Sequence, residues 1–243
     1  MRSLIIPDIH NRLDIVDEII KHVMPDEVIF LGDYFDQFDD SPEDAEKTAR
    51  WVKRRLHLKG YYFIMGNHES QYRWPKCPWH KTAAGSRDKQ EAIDSVLTKE
   101  DWAKMLFAVQ RENWWFTHAG LHPRLFMHPV MGFSAQKVWD KLHEAEFQCE
   151  AGLYTRITDE QHHEGEMPSG PLWLRWQQFE PILGINQVVG HTPGNEPRIL
   201  EVGDSGNQND YSFNMNLDTA NRYYAILQNN KLVAHKTLAM PKA

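Results

Sequence analysis

The sequence predicts an α/β fold in which two β-sheets pack face to face and helices cover their outer surfaces. In the first third of the chain, apolar runs alternate with helical patterns, which is typical of parallel strands joined by right-handed crossovers. The last quarter instead favours strands. We therefore expect the βαβ start to build one sheet and the strand-rich end to build the other. Because there is no convincing linker and no internal repeat, we expect one domain over residues 1–243.

The first third contains three predicted strands and two predicted helices. The strands are the apolar runs at 3–7, 27–32 and 61–66. Between the first two, residues 12–23 place their apolar positions on one face of a helix. The second helix begins after Ser41, a good N-cap, with Pro42 in its first turn and acidic residues 43 and 44 to match the helix dipole, and it runs to about residue 55.

The rest of the chain mixes helices and strands. We predict helices at 87–97, 98–109 and 134–147, the second capped by Thr98 with Asp101 three residues on. Residues 148–171 are polar and hard to assign, and within them the stretch DEQHHEGEMPSG is predicted to be loop. Strands are predicted at 113–118, 186–190, 198–202, 211–217, 222–228 and 231–235. In the first of these, alternation puts Trp114 and Trp115 on opposite faces, where both serve as core residues.

Composition limits the classes of function. With 27 basic against 34 acidic residues, the formal charge is −7, which argues against a general nucleic-acid binder. Two cysteines, Cys77 and Cys149, are too few for a disulfide framework and suit a reducing compartment. The sequence has no signal peptide and no apolar run near the ~18 residues that span a bilayer. We therefore expect a cytoplasmic protein with no membrane partner.

Polar side chains follow five of the predicted strands. A single Asp or His at such a place is usually a cap, a turn or a satisfied polar residue. That explanation would have to hold at all five strand ends at once, so the five together favour a site. In open α/β sheets, ligands bind at the carboxyl ends of the strands. We therefore predict one site, built from Asp8 and His10, Asp33 and Asp36, Asn67, His68 and Glu69, His118, and His191.

This set of side chains favours a particular chemistry. Carboxylate, amide and imidazole ligands without a thiolate suit manganese, iron or zinc. Six candidate ligands exceed the need of one tetrahedral ion, and they are enough for two ions about 3.5–4 Å apart that share a carboxylate. Such a pair clamps a phosphoryl group and makes a nucleophile from a bridging water near neutral pH.

The motifs DIH, GDYFD, GNHES, THAG and GHT occur in this order over residues 8–192, with a weaker echo in NLDTA at 216–220. With these motifs in this order, the chain resembles the calcineurin-like metallophosphoesterases. Within them it most resembles the compact bacterial and phage serine/threonine phosphoprotein phosphatases. Five motifs in the right order are a specific signal, whereas GHT alone would carry none. The resemblance implies the calcineurin-like fold, a two-sheet sandwich flanked by helices.

The resemblance also implies a role for each motif residue. His68 would be the general acid that protonates the leaving oxygen, and Asp36 would orient it and keep it protonated. The implied cofactor is a pair of divalent ions, with Mn²⁺ the first candidate and Fe or Zn the alternatives. The implied ligands are Asp8 and His10 for the first ion, Asp33 as the bridge, and Asn67, His118 and His191 for the second.

The sequence departs from the family pattern in two places, and the first of them bears on the substrate. Gln37 stands where these phosphatases usually carry an arginine that binds the phosphate. Loss of that arginine should weaken the binding of a dianionic monoester more than the binding of a diester. The other departure is Pro7 and Asn11 in place of two glycines, from which we expect altered loop geometry. The candidate substrate-binding residues are Arg175, in the family-like block PLWLRW, together with Asn67, Arg73, Arg124 and Gln37.

The expected activity is metal-dependent hydrolysis of phosphomonoesters, with phosphoserine and phosphothreonine of proteins among the candidate substrates. A dinucleoside polyphosphate hydrolase and a nucleotide phosphodiesterase of the same fold remain open. Related diesterases often carry a second histidine after GHx, where this chain has Pro193, and this difference favours the phosphatase branch. A scaffold that lost catalysis should have lost a ligand or the acid, and all of them are present.

Overall fold

A computed structural model describes residues 1–37, 39–77, 80–123 and 170–237. Within these ranges the chain forms two five-stranded mixed β-sheets, with helices, in the arrangement of the calcineurin-like fold. None of the helices in the described ranges is long and apolar enough to cross a bilayer.

The first sheet begins with the predicted βαβ units. Strands β1 (Arg2–Ile6), β2 (Glu27–Phe30) and β3 (Tyr61–Phe63) pair in parallel, as predicted. Helix α1 (Leu13–Val23) connects β1 to β2, and helix α2 (Pro42–Leu56) connects β2 to β3. The predicted cap of α2 is confirmed, because Ser41 and Asp44 form a capping box.

The second sheet takes its strands from the middle and later parts of the chain. They are β4 (Ala108–Arg111), β5 (Trp114–Thr117), β6 (Asn186–Val189), β7 (Arg198–Gly203) and β8 (Tyr211–Asn216). The three central strands β5, β6 and β8 are parallel, so their carboxyl ends meet at one edge. The outer strands β4 and β7 pair antiparallel with β5 and β8.

The last two strands belong to the first sheet. Strand β9 (Tyr223–Gln228) pairs antiparallel with β1, and β10 (Lys231–Lys236) pairs with β9. The expectation that the strand-rich end builds only the second sheet was therefore wrong. The hairpin turns at Asn229 and Asn230, both with positive φ, which is the conformation that a tight two-residue hairpin requires. The tight turn keeps β10 beside β9, and β9 is apolar enough to occupy a buried position next to β1.

Of the remaining helices, the two predicted at 87–97 and 98–109 are shorter than the sequence pattern indicates. Helix α3 (Asn67–Arg73) follows β3 directly, α4 is Arg87–Asp94, and α5 is only Lys99–Trp102. The Thr98 capping box is confirmed, but the predicted helix to residue 109 was wrong, because 108–111 pairs with β5 as a strand. The predicted helix at 134–147 and most of the polar stretch at 148–171 lie outside the described residues.

The core has a layer between the sheets and a layer under the helices. Alternate residues of the central strands, among them Ile5 and Phe116, pack between the two sheets. Their neighbours, such as Leu4, pack with α1 and α2. Trp114 and Trp115 are both buried and fall in different clusters, which confirms their assignment to opposite faces of the strand. The two packed sheets provide a rigid support for the loops at their carboxyl ends.

Candidate metal centre

The loops that follow β1, β2, β3, β5 and β6 bring the predicted ligands together. Asp33, His118 and His191 each offer a ligand atom within 4.8 Å of the other two. Asp8, His10 and Asp33 form a second such group. Asp33 belongs to both groups, so its carboxylate lies between them.

The group around His118 is compact. His118 Nε2 lies 2.9 Å from Asn67 Oδ1, 3.2 Å from His191 Nδ1 and 3.4 Å from Asp33 Oδ2. Its other nitrogen, Nδ1, donates to the carbonyl of Leu31 at 2.9 Å, so Nε2 carries a lone pair. A lone pair that faces a carboxylate oxygen and an amide oxygen at these distances is repelled unless a cation lies among them. Tetrahedral ligands about 2.0–2.1 Å from a metal are about 3.4 Å apart, which is close to the two longer of these separations.

His10 is oriented in the same way in the other group. Its Nδ1 lies 2.9 Å from the carbonyl of Phe35 and 2.7 Å from that of Asp36, and it donates to these oxygens. These contacts fix the ring with its other nitrogen, Nε2, turned toward the site, where it lies 3.9 Å from Asp33 Oδ2. A backbone acceptor on the far nitrogen is the usual support of a metal-binding histidine.

Asp8 offers an oxygen that lacks a partner. Its Oδ1 accepts from the backbone N–H of His191 at 2.8 Å, while Oδ2 is buried without a hydrogen-bond partner among the described residues. A Cβ atom on Gly190 would lie 2.0 Å from Oδ2, so only glycine lets the carboxylate sit there. Burial and the charges of Asp218 and Asp33 raise the pKa of Asp8 well above its ordinary value. A buried carboxylate with a free oxygen beside two others fits a cation.

The remaining ligands are held in the protonation states that a metal needs. Burial and the His118 charge lower the pKa of His191 to about 3, and burial lowers the pKa of His118. Burial acts to raise the pKa of Asp33, but the charges of His118, His68 and the other histidines lower it below its ordinary value. Neutral imidazoles and an ionised carboxylate are the forms that bind metal ions.

The ligand loops adopt a strained backbone. Positive φ angles occur at His10 (45°), Asn11 (63°), Asp33 (50°), Asp36 (66°) and His191 (66°). Such angles cost energy in residues other than glycine and cluster at functional sites. Asparagine, as at Asn11, is among the residues that tolerate this conformation best.

His68 and Asp36 form a hydrogen-bonded pair beside the ligands. His68 Nδ1 lies 2.8 Å from Asp36 Oδ2, and the His68 backbone N–H donates to Asp33 Oδ1 at 3.0 Å. Burial acts to lower the pKa of His68, but Asp33 and Asp36 raise it to about 9. Burial acts to raise the pKa of Asp36, but the hydrogen bond and charge of His68 lower it. The pair is therefore an imidazolium and a carboxylate near neutral pH.

Two functional residues, Glu69 and Asp218, were given no role by the sequence analysis. Glu69 is fully buried and accepts from the backbone N–H groups of Asp33 (2.7 Å), Tyr34 (2.8 Å) and Gly66 (2.9 Å), so it joins the β2 and β3 loops. The only sequence signal was its place in GNHES, where it also reads as the first acid of a helix. Asp218 is buried, and burial raises its pKa. It lies in NLDTA, the weakest of the recognised blocks.

The candidate substrate-binding residues have mixed positions. Gln37 Nε2 donates a hydrogen bond to the backbone carbonyl of His10 at 2.5 Å. The guanidinium of Arg73 lies over the ring of Trp74, 4.6 Å from its centre. Arg175 is exposed, and its charge contributes to the lowered pKa of His191, so it lies near the ligands. Arg124 lies outside the described residues.

Comparison with known proteins identifies the family of the chain. The sequence model of the calcineurin-like phosphoesterases matches residues 1–232, so the chain belongs to this family. A serine/threonine phosphatase of Saccharomyces cerevisiae, described as similar to human phosphatase PP5, shares the fold at 10% identity, with a TM-score of 0.53 over 100% of this chain and 81% of that chain. A metallophosphoesterase from Sphaerobacter thermophilus gives a TM-score of 0.47 at 14% identity, over 99% and 90% of the two chains. A protein provisionally named a diadenosine tetraphosphatase gives a TM-score of 0.48 at 16% identity, over 98% of this chain and 94% of that chain. None of the curated protein sequences compared with this chain matches it.

Family membership defines the class of activity. The chain is a metal-dependent phosphoester hydrolase, and the family implies a dinuclear centre of divalent ions. The two ligand groups that share Asp33 are the candidate site for that centre.

Proposed function

We propose that this protein is a phosphomonoesterase that binds two divalent ions with Asp33 between them. The observation that carries the proposal is the Asp33 carboxylate, which belongs to both ligand groups. Bound there, the ions would neutralise phosphate charge and supply an activated water as nucleophile. The proposed ligands are Asp8, His10 and Asp33 on one side, and Asp33, Asn67, His118 and His191 on the other. Manganese is the proposed metal, with iron or zinc as alternatives.

The proposed acid is His68. Asp36 accepts the hydrogen bond from the Nδ1–H of His68. The other ring nitrogen of His68, Nε2, can therefore give its proton to the leaving oxygen. The side chain is 16% exposed, so it is accessible from the site while Asp36 beneath it is fully buried. Proton donation matters most for a leaving group that is a poor anion, such as the alkoxide of a serine or threonine side chain. Phosphoserine and phosphothreonine in proteins are therefore the proposed substrates.

Thr192 and Arg175 support a monoester over a diester. The hydroxyl of Thr192 accepts from the backbone N–H of Trp176 at 2.9 Å, which ties the segment of Arg175 to the turn of His191. An exposed guanidinium beside the ligands suits the extra negative charge of a monoester dianion. In this proposal Arg175 binds the phosphate, and Arg73 and Arg124 are the candidates to replace the charge that is absent at Gln37.

The test compares initial rates on p-nitrophenyl phosphate and on its bis-ester in the presence of Mn²⁺. We expect kcat/KM for the monoester to be higher by about 10-fold or more, which is a difference of about 1.4 kcal/mol in barrier. Arg175→Met should lower the monoester value more than the diester value. Arg87→Met, at an exposed arginine that pairs with Glu91, is the matched control and should change neither.

Each of the other results contradicts the proposal in a different way. A higher rate on the diester would assign the site to a phosphodiesterase. Hydrolysis of dinucleoside polyphosphates with little activity on monoesters would assign it to that class instead. No activity on any of these substrates, with metal bound, would indicate a scaffold that has lost catalysis.

A further inference from the structure

A buried lysine lies against the pair formed by Asp36 and His68. Lys89, on α4, is only 5% exposed. Burial of an ammonium group is costly unless it is paired, so lysine is rarely buried without a partner. Its nitrogen has three acceptors, namely Asp36 Oδ1 at 3.4 Å, the carbonyl of Ala84 at 2.9 Å and Asp40 Oδ1. An ammonium group has three N–H donors, so every one of them is used.

The Asp36 carboxylate is held on both of its oxygens. Oδ2 accepts from His68 Nδ1 at 2.8 Å and from Gln71 Nε2 at 2.7 Å. Oδ1 accepts from the Tyr72 hydroxyl at 2.5 Å and from Lys89. Three of these donors belong to α3, the helix that carries His68, whereas Lys89 comes from α4. Lys89 therefore ties the carboxylate to a different helix from the one that carries His68.

The position of Lys89 is itself fixed by a second carboxylate. Asp40 Oδ2 accepts from Asn11 Nδ2 at 2.6 Å, and Asn11 Oδ1 accepts from the hydroxyl of Thr48 on α2 at 2.7 Å. The chain of contacts runs from α4 through Asp40 to the loop after β1 and on to α2. The ammonium group is thus placed by contacts that reach α2 as well as α4.

We propose that Lys89 is a positioning residue for proton donation: its ammonium group holds the Asp36 carboxylate in the orientation that receives the Nδ1–H of His68. This inference rests on the proposed role of His68 as the acid. If the carboxylate turns, His68 loses the contact that fixes its ring. Proton transfer to the leaving oxygen then becomes slower, while the metal ligands and the phosphate contacts stay in place.

The test uses two aryl phosphates whose leaving groups differ in basicity. p-Nitrophenolate leaves without much help from an acid, whereas phenolate depends on one. Lys89→Met keeps the length of the side chain and removes the charge. We expect kcat on phenyl phosphate to fall by about 10- to 100-fold, because a general acid contributes about 10²–10⁴ and positioning supplies part of it. On p-nitrophenyl phosphate kcat should fall by less than about 3-fold by the same reasoning, with KM for both unchanged.

Two further variants make the result specific. His68→Asn should show the same selective loss, but larger. Lys53→Met removes a lysine that binds Asp101 at 3.0 Å and the carbonyl of Val96 at 2.7 Å, so it reports the effect of losing a structural lysine and should affect both substrates equally. If Lys89→Met does not fold, Lys89→Gln keeps two N–H donors and should give a smaller loss of the same kind.

The outcomes separate this inference from the proposed function. A selective loss in His68→Asn together with an equal loss, or none, in Lys89→Met would overturn the role of Lys89 and leave the acid in place. No selectivity in His68→Asn would overturn the acid role, and the role of Lys89 with it. In the Asp36→Asn background, Lys89→Met should have little further effect on phenyl phosphate, and an additive loss would contradict the inference.

Discussion

At the scale of single residues, the site depends on close approaches that leave no room for substitution. The clearest is the contact between Asp8 and Gly190, because the next residue, His191, donates its backbone N–H to the same carboxylate. Any side chain at 190 must push Asp8 away from His191. These two residues belong to different ligand groups, so the contact also fixes the distance between the groups.

Gly190→Ala should therefore weaken metal binding. The added Cβ would lie 2.0 Å from Asp8 Oδ2, which no rotation of the alanine relieves. We expect the affinity for Mn²⁺ at one of the ions to fall by about 10-fold or more, of the order found when supporting contacts of metal ligands are lost. Isothermal titration of the metal-free protein measures it. Gly206→Ala, where the nearest atom would be Asp204 Oδ1 at 3.3 Å, is the control, and equal affinities in the two variants would show that the contact does not matter.

The identities of the candidate ligands could be predicted from the sequence, but their supports could not. Each ligand directly follows a strand, so local order in the chain is enough to find it. Glu69 accepts a hydrogen bond from Asp33, 36 positions away in the sequence, and Lys89 donates one to Asp36, 53 positions away. No sequence motif indicates either of these contacts. The left-handed backbone at Asp33 and Asp36 was equally invisible, because only glycine signals that conformation strongly.

At the scale of elements, the predictions succeeded where helix ends carry their own signals. Ser41 with Asp44 and Thr98 with Asp101 both form the capping boxes that their spacing indicates. The end of α5 could not be predicted, since the apolar residues of 105–109 fit either a helical face or a strand. Pairing with β5 decides the matter, and that contact depends on tertiary structure.

Ser41→Ala tests the contribution of one cap. Ser41 Oγ accepts from the Asp44 N–H at 3.2 Å, and Asp44 Oδ2 accepts from the Ser41 N–H at 3.0 Å. We expect the free energy of unfolding to fall by about 1 kcal/mol. Urea denaturation of the metal-free protein measures it, with Ser205→Ala, an exposed serine in a turn, as the control. Equal stability of the two variants would mean that the box contributes nothing to α2.

At the scale of the whole molecule, the candidate centre joins the two sheets. Asp8, His10, Asp33 and Asn67 follow strands of the first sheet, whereas His118 and His191 follow strands of the second. The sandwich could be predicted because each half has its own strand pattern. The placement of β9 against β1 could not, since a hairpin can join the edge of either sheet. Ions bound between the sheets should stabilise the folded chain, because the unfolded chain cannot assemble the ligands.

The central claim is that Asp33 is shared by two ions, and metal stoichiometry tests it most directly. The wild type, Asp33→Asn and the control Asp204→Asn, at an exposed aspartate, would be dialysed against Mn²⁺ and analysed for bound metal per chain. We expect about two ions in the wild type and in the control, and fewer than two in Asp33→Asn, because a neutral amide cannot bridge two cations as a carboxylate does. Two tightly bound ions in Asp33→Asn, or only one in the wild type, would contradict the account.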